Sequence, residues 1–142
     1  MAADNESSPF TTEGTVAQTR DLKLMVREDP VKAIRVFFAA SIAIANNDTP
    51  DLDEEAEDKI NGHELEECDG ETIGGVTLRL VLADGGGEGG GEYVKRVYAF
   101  EIDGLAVSYV RQTGSYYSHD GVYWDDDFDV VTARQETITV YE

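Results

Sequence analysis

Four stretches carry side chains whose type and spacing suit chemistry or binding. In the first, Trp124-Asp125-Asp126-Asp127-Phe128-Asp129, the residues Asp125, Asp127, Asp129 and Glu136 fall at positions 1, 3, 5 and 12 of a calcium-loop pattern. Position 6 of that loop needs Gly for its sharp turn, and Val130 stands there without flanking helices, which excludes an EF-hand. Asp125, Asp127 and Asp129, with Asp120, are left as a looser set of oxygen ligands; the simpler expectation is alternate acids at the start of a strand, facing water. No metal and no cofactor is expected.

The second stretch is glycine-rich: six of the seven residues from Gly85 to Gly91 are Gly, with Glu88 in the middle. It satisfies G-x-G-x-x-G formally, but a nucleotide fingerprint needs a helix after it, and here a strand pattern follows. There is no Lys-Ser/Thr of a phosphate-binding loop. A hairpin loop is expected, with Glu88 as a candidate contact if the loop orders around a partner or ligand. The third is His63-Glu64-Leu65-Glu66-Glu67-Cys68. It is not H-E-x-x-H, and one cysteine cannot build a structural zinc site. Solvated acids beside an ordinary thiol are expected.

The fourth is aromatic. Tyr116, Tyr117, Tyr123 and Trp124 surround His119 and Asp120, and Tyr and Trp are favoured at binding hot spots. Glu88, Tyr116, Tyr117, His119, Asp120, Tyr123 and Trp124 are therefore the candidate ligand- or partner-binding residues. The competing expectation is that these rings close the end of the core. Nucleophilic catalysis finds little support, because Ser115 sits in Thr-Gly-Ser-Tyr-Tyr and not in G-x-S-x-G. His63 and His119 are the only side chains with ordinary titration near neutrality, and a Ser115–His119–Asp120 relay would need loop neighbours to converge. The chain is expected not to be an enzyme.

Elements must position these groups. All seven tyrosines and the single tryptophan lie between residues 92 and 142, so the core should nucleate there. Asp103-Gly104 between two apolar runs is a strong hairpin signal. Strands are expected over residues 72–82, 93–102, 105–112, 128–133 and 137–141, with an aromatic loop from Gly114 that turns at Asp120-Gly121. Leu22, Leu24 and Val26 alternate with polar neighbours, which predicts a further strand over 21–27. Asp29-Pro30 reads as a helix start, and five alanines in 31–46 favour helix. The same run also alternates, so strand is the competing reading; length and alanine content favour helix. Its second half is apolar almost all round, which suits a central core helix or a self-association surface. Residues 1–14 read as a flexible leader. Residues 15–142 read as one α+β domain, a mostly antiparallel sheet of about six strands with one main helix on it.

Charge dominates the composition. The net charge is -19, and residues 48–71 hold twelve acids and one base, Lys59. A short solvated helix and a loop are expected there, interrupted at Asn61-Gly62, with Asp51, Asp53, Glu54, Glu55, Glu57 and Asp58 forming an acidic surface. Such a chain repels nucleic-acid phosphates and anionic membranes. No stretch approaches the roughly 20 apolar residues of a membrane helix. The N-terminus lacks the basic and apolar regions of a signal peptide, and Cys68, the only cysteine, cannot form an intramolecular disulfide. A soluble intracellular protein is expected, with a protein partner or its own copies as company, and with no direct nucleic-acid or membrane binding.

Gly87-Glu88-Gly89-Gly90-Gly91-Glu92-Tyr93 resembles a G-E-G-x-G-x-[YW] loop. Residues 114–125, Gly-Ser-Tyr-Tyr-Ser-His-Asp-Gly-Val-Tyr-Trp-Asp, followed by the terminal Thr137-Ile138-Thr139-Val140-Tyr141-Glu142, resemble a G-x-Y-x-S-x-D-G-x-x-W-D … T-V-T-V-Y-E ending. Together these motifs resemble a family of small proteins encoded by tailed bacterial viruses, over about residues 84–142. The resemblance implies a viral origin and a shared β fold. It carries no established activity, so it assigns no functional residue. Three expectations follow for function: a non-enzymatic accessory protein in the host cytoplasm that binds a host protein or small ligand, as an acidic mimic of nucleic acid or against host defence; a minor head or tail subunit of the virion; or an acidic protein adapted to high salt.

Overall fold

The structure is a computed structural model and describes residues 21–57, 59–85, 93–117, 120–134 and 139–141. The expected leader, residues 1–14, lies outside the described residues.

Two helices open the described chain. Helix α1, Leu22–Glu28, replaces the strand expected over 21–27. Its buried residues are Leu22, Met25 and Val26, at helical spacing, while Leu24 is exposed. Four apolar residues within a seven-residue segment fit both periods; here the cap decides. The Asp21 carboxylate accepts from Lys23 N–H at 2.9 Å. Helix α2, Pro30–Ala45, begins as expected: Asp29 accepts from Lys32 N–H at 3.2 Å and Pro30 takes the first turn. Ala33, Ile34, Val36, Phe37, Phe38 and Ala40 are buried, but Ile42 and Ile44 are exposed. The all-round apolar half is thus open at its C-terminal end.

The acidic segment then runs back along α2. Arg35 and Ala56 fasten it: Ala56 N–H donates to Arg35 O at 3.1 Å, and the Arg35 guanidinium donates to Ala56 O at 2.5 Å. Leu52 and Ala56 pack on the core, and Ile60 is fully buried. Asn61-Gly62 starts a helix where an interruption was expected. Asn61 Oδ1 accepts from the N–H groups of His63 and Glu64 and caps α3, Gly62–Glu66.

Among the described residues five strands follow in sequential antiparallel order: β1 (Thr72–Ile73), β2 (Val76–Gly85), β3 (Tyr93–Ile102), β4 (Leu105–Tyr117) and β5 (Gly121–Val131). The α+β architecture, an antiparallel sheet with the main helix packed on it, is the one expected. Asp103-Gly104 makes its turn with φ values of 54° and 82°, joining Ile102 to Leu105. Gly74-Gly75, inside the single strand expected over 72–82, makes an equivalent turn at 59° and 81°.

Leu78 pairs with Phe100 and Leu80 with Tyr98, and a bulge then displaces Val81 and Leu82 to the surface. Val76, Leu78, Leu80 and Leu82 alternate along β2, and only Val76 and Leu78 of them are fully buried. The expected aromatic loop is a hairpin instead: β4 runs five residues past Gln112, and β5 begins at Gly121, where φ is 85°. Residues 139–141 of the expected last strand are not strand, and its first two residues, 137 and 138, lie outside the described residues.

Candidate functional site

The aromatic hairpin brings several candidates together. Tyr117 and Tyr123 meet edge to face, with centroids 5.4 Å apart. They border a cavity of about 400 Å³ that Lys59, Ser115, Asp120, Trp124 and Asp125 also line. Both tyrosines are at least half exposed, at 50% and 56%. Tyr116 pairs with Val122 and does not line the cavity. His119 and Glu88 lie outside the described residues. Sequence reading missed Lys59 here, because nothing local ties it to a hairpin more than fifty residues on.

Trp124 is 3% exposed, so its indole is core as well as cavity wall. It lies against the first turn of α3, where a Cβ on Gly62 would overlap the ring. The Arg96 guanidinium sits 5.5 Å from the indole centroid, and the His63 ring meets it edge-on at 5.6 Å. Arg96 Nε donates to Glu66 Oε2 at 2.8 Å, and His63 Nδ1 is 3.9 Å from the same oxygen. Part of the third sequence cluster thus clamps α3 to the sheet. Glu64 and Glu67 are exposed, while Cys68 is buried with its sulfur 3.5 Å from Ser41 Oγ. Burial pushes the Cys68 thiol above its ordinary value; the Ser41 contact opposes this, and the Glu71 and Glu67 carboxylates add to it.

Asp125, Asp127 and Asp129 share the exposed face of β5, where a strand spaces alternate residues about 7 Å apart. Asp125 accepts from Thr113 Oγ1 at 2.7 Å, and Asp129 pairs with Arg111 at 3.1 Å. Two of the three carboxylates therefore serve cross-strand contacts. Among the described residues no three His, Cys, Asp or Glu side chains are grouped to hold a metal.

The acidic surface is exposed over an anchored backbone. Asp51, Asp53, Glu54, Glu55 and Glu57 are all exposed, whereas Leu52, Ala56 and Ile60 between them turn inward. Asp51 shapes the first turn by accepting from Asp53 N–H at 2.9 Å. At the far end, the buried Gln112 Nε2 donates to Ile60 O at 2.9 Å. Lys32 reaches Glu55 at 3.9 Å, a weak exposed pair. Asp58 lies outside the described residues.

Comparison with protein-family models, curated proteins and solved structures finds no match to the chain. Among the described residues no helix is long and apolar enough to cross a membrane.

Proposed function

We propose that the chain is a virus-encoded accessory protein that acts by binding, without chemistry of its own, and that its acidic face captures a basic host protein. One observation carries the reading: Asp51, Asp53, Glu54, Glu55 and Glu57 point outward from a backbone held down at Leu52, Ala56 and Ile60. Carboxylates on a fastened segment lose less entropy on binding than those of a free tail. Their summed field attracts a cationic surface over about a Debye length and speeds encounter. A protein that grips nucleic-acid phosphates is the natural target, since it is built to meet rows of negative charge. The viral origin rests on the sequence resemblance at residues 84–142.

Competition tests this. A basic bacterial nucleic-acid-binding protein is held on labelled duplex DNA and titrated with the chain at physiological salt. Release of DNA is expected, with about tenfold less potency for the variant D51N/D53N/E54Q/E55Q/E57Q. Equal potency of the two overturns the assignment to this face, and no release by either overturns the proposal.

A further inference from the structure

The geometry points to an apolar groove at the C-terminal end of α2 as the docking site for a cationic amphipathic segment of the partner. The inference rests on the proposed capture of a basic protein and adds what that protein must present: an apolar side chain flanked by Lys or Arg.

The groove encloses about 340 Å³. One wall is α2, with Phe38, Ile42 and Ile44; the other is α3 and the turn after it, with Glu64, Glu67 and Glu71. Ile42 is 46% exposed and Ile44 is 42% exposed, so the apolar wall faces water. Among the described residues no Lys, Arg or His lines the groove. Helix α2 has no basic residue in its last turn, so its negative dipole end is not offset there by a side chain of that turn. Glu64 and Glu67 are exposed at the rim, and Glu71 is held by Ser41 Oγ at 2.6 Å.

This combination selects its occupant. An apolar wall alone would accept any greasy surface, and a carboxylate rim alone would accept any cation. An amphipathic helix satisfies both, setting an apolar residue against Ile42 and Ile44 and basic residues three or four positions away beside Glu64 and Glu67. A second copy of this chain is a poor occupant, because each copy carries -19. The carboxylates of the groove, Glu64, Glu67 and Glu71, belong to the same acidic stretch, residues 48–71, as the exposed face.

Two synthetic helical peptides of equal charge test the inference, one with leucine and lysine at amphipathic spacing and one with serine for each leucine. Binding to the full chain is followed by NMR through the Ile42 and Ile44 methyl groups. The leucine peptide is expected to bind about tenfold more tightly and to shift those methyls. Ile44→Ser should remove about that advantage and leave the serine peptide unchanged. E64Q/E67Q, which spares the apolar wall, should weaken the leucine peptide several-fold at low salt and less at high salt.

Equal binding of both peptides, or no loss with Ile44→Ser, overturns the groove assignment. If D51N/D53N/E54Q/E55Q/E57Q alone loses binding, the groove fails while the proposed function stands. If neither peptide binds, both readings fail. A dimer in sedimentation velocity that Ile44→Ser dissociates would give the groove to a second copy and overturn the inference.

Discussion

Arg96 Nε donates to Glu66 Oε2 at 2.8 Å, joining the middle of the sheet to a helix thirty residues earlier. The pair is largely sheltered, with the Arg96 side chain 12% exposed, and the guanidinium also faces the Trp124 ring. Charge-assisted bonds in such settings exceed neutral ones. Arg96→Met should therefore cost about 2 kcal/mol in urea unfolding, and Glu66→Gln less, because an amide oxygen still accepts. A double-mutant cycle measures the coupling; a value near zero would make the contact incidental.

Trp124 over Gly62 gives a second test. Trp124→Ala should cost about 3–5 kcal/mol, the loss typical of a buried aromatic. Gly62→Ala should cost about 2 kcal/mol or more, because its methyl would overlap the indole. Trp124 is the only tryptophan, so its emission reports directly: blue-shifted in the parent, moved toward the red in Gly62→Ala. An unchanged spectrum and stability would mean that the ring does not rest on α3.

These contacts mark where the sequence stops being legible. Asp29-Pro30 and Asp103-Gly104 read correctly because their signals are local: a cap with a preset φ, and a pair suited to positive φ. Leu22 to Val26 read wrongly because a short apolar run satisfies both periods, and only the Asp21 cap and the packing of Met25 separate them. The aromatic stretch read as a loop because Gly114, Ser115 and Ser118 resemble turn residues, yet Gly114 pairs opposite Trp124 within a ladder. The acidic face was legible from charge, but the short helix expected within residues 48–71 begins only at Gly62; Leu52, Ala56 and Ile60 turn inward from a segment that is not helical. The clamp of Glu66, Arg96 and Trp124 was not, since no local pattern joins residues so far apart. The groove beside Ile42 and Ile44 was half legible: the apolar helix end could be read, but not the rim of Glu64 and Glu67 set against it.

Tyr98 is fully buried, and its hydroxyl has no hydrogen-bond partner among the described residues. Burial pushes its phenol well above the ordinary value, with the Glu66 charge adding to the shift. The unfolded phenol ionises near about pH 10 while the folded one keeps its proton. The resulting stabilisation is complete below that pH and is lost as pH rises beyond it. Tyr98→Phe should gain about 1 kcal/mol at neutral pH and flatten the alkaline loss. Denaturant unfolding at pH 7 and pH 10.5 reads both effects; a destabilised Tyr98→Phe would mean that the hydroxyl has a partner.

Cys68 should resist alkylation. It is 4% exposed, and its thiol is pushed up by burial, so little thiolate forms at neutral pH. Iodoacetamide at pH 7.5 should modify the folded chain at least roughly a hundredfold more slowly than the urea-unfolded chain. Comparable rates would place the thiol at the open mouth of the groove beside Phe38 and Ser41.

The acidic load makes a prediction about stability that bears on function. At low ionic strength a net charge of -19 opposes compaction through self-repulsion, and salt screens it. The parent should gain about 1–2 kcal/mol between roughly 20 mM and 1 M potassium chloride. D51N/D53N/E54Q/E55Q/E57Q lowers the charge to -14, since it removes five carboxylates from -19. Repulsion grows about as the square of the charge, so that variant should gain roughly half as much. Its low-salt stability should rise, because the replaced carboxylates are exposed and the segment is held by Leu52, Ala56 and Ile60 instead. A parent that costs itself stability to carry this face, yet stays folded in dilute buffer, fits a surface kept for a partner. A parent that folds only in molar salt would make the charge an adaptation to a saline environment, and residues 51–57 would lose their assignment as a binding face.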